Sequence, residues 1–109
     1  MESLPRQVDV YVDPSGIAPF EQWLARLRDL KAKAAIDTRM ARLRRGLLGD
    51  FKSVGEGVRE LRIDSGPGYR VYLADDGESI LLLCGGSKKT QRADVAAAKK
   101  YWKVYQEEQ

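Results

Sequence analysis

At 109 residues, 43% hydrophobic and 32% charged, the chain is expected to fold as one domain, residues 1–109, around a single modest core. No apolar run approaches the roughly 18 residues of a membrane span. The lack of any histidine and the lone cysteine, Cys84, exclude an intrachain disulfide, the usual Cys/His zinc sites and histidine-activated nucleophiles. The net charge of +3 conceals two basic clusters. Lys31, Lys33, Arg39, Arg42, Arg44 and Arg45 stand against Asp37 alone, and Lys88, Lys89, Arg92, Lys99, Lys100 and Lys103 against Asp94 alone. Such surpluses suit a polyanionic partner, nucleic acid or an acidic protein, or else two solvated helix faces.

The opening "MESLPRQVDV" has neither the basic start nor the apolar stretch of a secretory leader, so a cytoplasmic location is expected. "QVDVYV" (Gln7 to Val12) alternates like a strand and stops at the turn "DPSG". Pro19 suits a first helical position, and Phe20, Trp23, Leu24 and Leu27 follow at helical spacing. A second helix is predicted from Leu30 to about Leu47, with Ile36, Met40, Leu43 and Leu47 as its apolar stripe and Gly49 as its stop. "GDFKSVGEG" reads as a polar loop. "VRELRI" (Val58 to Ile63), "YRVYLA" (Tyr69 to Ala74) and "SILLLC" (Ser79 to Cys84) read as a meander joined by the turns "DSGPG" and "DDGE", the last strand lying centrally. From about Thr90 a final helix buries Val95, Ala98, Trp102 and Tyr105. The expected fold is therefore α+β, β-α-α-β-β-β-α: a small antiparallel sheet with a helical hairpin on one face and a C-terminal helix.

Alternation along the strands sends Leu61, Ile63, Tyr69, Val71 and Leu73 to one side and Glu60, Arg62, Arg70 and Tyr72 to the other. Lys88 and Lys89 border that second face. The pair Gly85-Gly86 ahead of them reads as an anion-binding turn or as a plain strand end. Cys84 reads as a buried small hydrophobe, and Trp23 and Trp102 as core anchors rather than base-stacking platforms.

The motifs "GVRELRIDSGPGYRVYL" and "LLLCGGSKKTQRADVAAAKKYW" make the chain resemble the RelE/ParE superfamily of bacterial toxins, within it the HigB-like addiction module killer proteins. The resemblance covers the chain from Gln7 to Tyr105. It implies a RelE-like fold and an mRNA interferase: a toxin that enters the ribosomal A site, cleaves the message and is neutralised by an adjacently encoded helix-turn-helix antitoxin of HigA type. It also implies that Arg70, in the "GYR" strand, contacts the scissile phosphate, and that Lys88 or Lys89 stabilises developing charge. This sequence lacks the histidines of the HigB branch. Val95 or its neighbours stand where the last-helix tyrosine of RelE would fall.

Without metal or histidine, RNA can still be cut by in-line attack of its own 2′-hydroxyl, so no cofactor or metal ion is expected. The protein must then align the backbone, stabilise the nonbridging oxygens and move two protons. Arg70 fits a bidentate phosphate clamp, with Arg62 assisting or simply pairing with Asp64 or Glu60. Glu60, Tyr72 and a lysine of depressed pKa are the candidate bases. Lys52, Arg59, Gln91 and Arg92 are expected to contact RNA. Two other readings fit the same residues: a ParE-like inhibitor of DNA gyrase, and a non-catalytic module that only binds an antitoxin.

Overall fold

A computed structural model describes residues 4–108; residues 1–3, the start of the segment read for a leader, and residue 109 lie outside the described residues. Its elements are β1 (Gln7–Val10), α1 (Pro19–Arg26), α2 (Leu30–Arg44), β2 (Phe51–Gly55), β3 (Val58–Ile63), β4 (Tyr69–Asp75), β5 (Ser79–Ser87), a short 3-10 turn (Lys88–Thr90) and α3 (Gln91–Glu107). The class is α+β with a RelE-like sheet, as the sequence predicts. Two details differ. The sheet has five strands in the order β1-β5-β4-β3-β2, and β1 runs parallel to β5, so the sheet is mixed rather than antiparallel throughout.

The additional strand, β2, lies within the stretch read as a loop. It pairs with β3 through a tight turn in which Glu56 and Gly57 both take positive φ, 55° and 85°. That is the hairpin geometry whose twist matches flanking strands. The second helix is shorter than its apolar spacing suggests. It stops at Arg44, where Gly46, at φ 84°, donates to the Leu43 carbonyl and Leu47 donates to the Arg42 carbonyl. This paired closure satisfies the last carbonyls of the helix, so Gly46 and not Gly49 is the stop, and Leu47 is left exposed. At its start, the Asp29 carboxylate accepts from the Ala32 amide at 3.0 Å.

Both faces of the sheet are covered. Phe20, Ile36, Met40 and Leu43 from α1 and α2 pack on Leu61, Ile63, Val71, Leu73, Ile80 and Leu82. On the opposite face Ala98 and Trp102 of α3 pack on Val58, Tyr72, Ala74, Leu81 and Leu83. Such double coverage accounts for the continuous apolar run of β5. A bulge opposite Tyr72 and Leu73 sends both Leu83 and Cys84 to the α3 side. Among the described residues β1 pairs with Ser79 to Leu82 of β5, and the last residues of β5, through Ser87, have β4 as their sole strand neighbour. Their other edge opens between α1 and α3.

No helix among the described residues is long and apolar enough to cross a membrane.

Candidate active site

The register of β2, β3, β4 and β5 lays Lys52, Glu60, Tyr72 and Cys84 in one cross-strand row and Arg62, Arg70 and Gly86 in the next, all facing α3. Glu60 sits at the centre of this face, 0% exposed. A buried carboxylate must be answered by hydrogen bonds and cations. Tyr72 Oη and Gln91 Nε2 both donate to its Oε2, at 3.1 and 2.9 Å. Its Oε1 faces Arg70 Nε at 3.5 Å and Lys52 Nζ at 3.9 Å. Neither Oε1 nor Arg70 Nε completes a hydrogen bond there, so the attraction is one of charge.

Burial, followed by the charge of Glu60, pushes the Tyr72 phenol far up. It stays protonated and serves as a donor. Burial also pushes the Cys84 thiol up to about 12, which leaves no thiolate at neutral pH and matches its reading as a packed hydrophobe.

Arg70 lines a surface recess of about 300 Å³ with Asp50, Arg62, Asp64, Gly68 and Tyr69. Arg62 stands beside Arg70 in the register, but its guanidinium is paired with Asp50 at 3.1 Å, not with Asp64 or Glu60. Lys88 and Lys89 are exposed on the turn after β5, whose first amide donates to the Gly68 carbonyl, and Arg92 is exposed as the second residue of α3. Arg59 does not join this group. Its cross-strand partner is Leu73, on the hairpin side, and its guanidinium lies 5.5 Å from the Phe51 ring centroid. Of the basic residues on α2, Arg39 is tied down: it donates to the carbonyls of Arg62, Leu48 and Asp50.

Gly85 and Gly86 lie within β5 and are buried, not in a turn. A Cβ at Gly85 would collide with the Trp23 indole, and one at Gly86 with the Asp94 carboxylate. The anion that approaches this glycine pair is thus the chain's own Asp94. Thr90 Oγ1 donates to Asp94 Oδ2 at 2.5 Å, and burial holds the Asp94 carboxyl above its ordinary value against the opposing effect of that bond.

Asp94 is the residue that sequence reasoning missed at this site. Its signal was present as two adjacent glycines in an apolar strand, followed by Thr90 and Asp94 at the four-residue spacing that meets on a helix. Among the described residues no group of Cys, Asp and Glu side chains is placed to hold a metal ion.

The α+β architecture, a mixed five-stranded sheet with three helices, is compatible with a RelE-like fold. The family model described as Phage derived protein Gp49-like (DUF891) matches residues 22–105. The chain belongs to that family, a known addiction-module toxin family. A protein of Haemophilus influenzae (strain ATCC 51907 / DSM 11121 / KW20 / Rd), described as uncharacterized, is 53% identical over 81 residues, 73% of this chain and 82% of its own length. No solved structure matches the chain.

Proposed function

We propose that the protein is the toxin of a type II toxin–antitoxin pair and acts as a ribosome-dependent mRNA endonuclease. The observation that carries this reading is the placement of Arg70: its side chain is 13% exposed, its Nε faces the fully buried carboxylate of Glu60 at 3.5 Å, and it lines a surface recess with Gly68, whose carbonyl accepts from the Lys88 amide. An arginine so fixed is preorganised for a phosphate, because little side-chain freedom is left to lose on binding.

In this mechanism the substrate's 2′-hydroxyl attacks the adjacent phosphorus and the 5′-oxygen leaves. Arg70 holds the nonbridging oxygens as charge develops. Glu60, Tyr72 and Gln91 act through Arg70 as positioning residues. With Glu60 sealed and the Tyr72 phenol held protonated, proton transfer falls to groups that reach the surface: Lys88, Lys89 and Asp94. Lys52, Arg62 and Arg92 lie on the same side and steer the RNA backbone.

A ribosomal substrate places the protein in the cytoplasm. Its antitoxin is a helix-turn-helix protein encoded beside it, with an acidic or apolar segment that complements the exposed Lys31, Arg42 and Arg44 of α2 with Arg45 just after it, or the Lys88 turn. Induced expression in bacteria, with mapping of new mRNA 5′ ends and of plasmid topology, tests the reading. New ends within translated codons support it. Relaxed or cleaved plasmid without new mRNA ends would replace it with gyrase inhibition, and growth arrest with neither would leave a non-catalytic binder.

A further inference from the structure

A groove of about 860 Å³ runs along the open edge of β5, between α1 and α3. Its volume falls in the range of small-molecule sites, roughly 300–1,000 Å³. Trp23, Leu27, Pro67 and Tyr69 form an apolar wall, and Lys88 and Lys89 stand at the rim. The indole of Trp23 is half-buried and packs against the bare backbone of Gly85, its ring 6.3 Å from that of Tyr69 and tilted by 57°. Asp94 also lines the groove; its Oδ2 accepts from Thr90, while its Oδ1 accepts no hydrogen bond among the described residues.

We propose that this groove is a nucleobase pocket, in which one base of single-stranded RNA stacks on Trp23 while its phosphates meet Lys88 and Lys89 and its N–H edge meets Asp94. The three chemistries of a nucleotide are each answered here: an aromatic face for the base, cations for the phosphate, a carboxylate acceptor for the ring or exocyclic donor. Tyr69 lines both this groove and the Arg70 recess, so the stacked base belongs to a nucleotide next to the phosphate that Arg70 holds. In that respect the inference rests on the RNA-cleavage reading. An added peptide strand is disfavoured by the edge itself. The stretch beyond β1 is short, and the Ser87 amide is already donated to Thr90 Oγ1 at 3.3 Å.

The test is tryptophan fluorescence of the full chain titrated with a short single-stranded RNA whose 2′-O-methyl sugars prevent cleavage. A saturable quench is expected. It should vanish in Trp23→Phe, where Trp102 still emits, and with an oligonucleotide made abasic throughout. Trp23→Ala should weaken binding on the order of tenfold. Binding that leaves Trp23 emission unchanged, or that is indifferent to the bases, overturns the pocket while leaving the nuclease reading intact. So does the absence of RNA binding combined with a Trp23 quench by the neighbour-encoded antitoxin, which would make the groove a protein site. Conversely, a base-dependent quench in a protein that cleaves no message on the ribosome keeps the pocket and removes the nuclease reading.

Discussion

Glu60 has no route to solvent, and its charge is answered from the sheet by Arg70, Lys52 and Tyr72 and from α3 by Gln91. Arg70→Ala therefore does two things. It removes the proposed phosphate clamp, and the single-turnover cleavage rate on the ribosome should fall on the order of 10² to 10³. It also strips the nearest cation from a buried carboxylate, at a cost of about 1–3 kcal/mol in denaturant unfolding. The double variant Arg70→Ala/Glu60→Gln separates the two, and should recover stability without recovering cleavage. A double variant that regained cleavage would make Arg70 a structural residue. Asp94 offers a pH test. Its carboxyl is held above the ordinary value, chiefly by burial. The unfolded chain thus ionises first as pH rises, and Asp94 contributes stability at acidic pH that is lost through its raised pKa. Asp94→Asn should gain stability over the parent near neutrality, and the gain should shrink at a pH of about 3, below the carboxylate range. Strand alternation alone was enough to place Arg62 and Arg70 side by side. It could not reveal that Arg62 is claimed by Asp50, because that partner lies in the segment between α2 and β2 and is distant in sequence.

Between elements, the tightest junction is the crossing of β5 by α1 on one side and α3 on the other. Gly85 and Gly86 permit it by having no side chains. Gly86→Ala should cost about 1–3 kcal/mol through overpacking against Asp94. The same change in an Asp94→Ala background should cost measurably less, and a cycle showing no coupling would contradict the packing described here. This junction was half legible. The glycines stood out in the sequence, but a charge-bearing turn follows them at once, so they read as a site for a foreign anion. β2 was illegible for a different reason. Phe51 to Gly55 is a mostly exposed edge strand, with no alternation to betray it, and its hairpin turn places a glutamate rather than the expected asparagine or aspartate at positive φ. The end of α2 was overextended because Leu47 continues the apolar spacing, while the backbone closure at Gly46 leaves no trace in hydrophobic periodicity.

Across the whole molecule, the basic residues divide by what holds them. Arg6 is locked to Asp75 by two hydrogen bonds of 2.9 and 2.7 Å, Arg39 to backbone carbonyls and Lys99 to Glu56, whereas Lys88, Lys89, Arg92 and the outer cations of α2 remain exposed. The exposed set should govern ribosome binding, so that removing Arg42, Arg44 and Arg45 together weakens binding in a salt-dependent manner and leaves the bound rate of cleavage unchanged. A triple variant whose bound cleavage rate fell as far as that of Arg70→Ala would place α2 at the chemistry and contradict this division. The most direct measurement of the central claim is 5′-end mapping of messenger RNA after induced expression of the parent, with Arg70→Lys expressed to the same soluble level alongside. The parent should arrest growth and produce new ends inside open reading frames. Arg70→Lys, which keeps the charge and loses the planar fork, should produce few or none. New ends at parental abundance in Arg70→Lys, or none in the parent at verified soluble expression, would contradict an RNA-cleaving site built on Arg70.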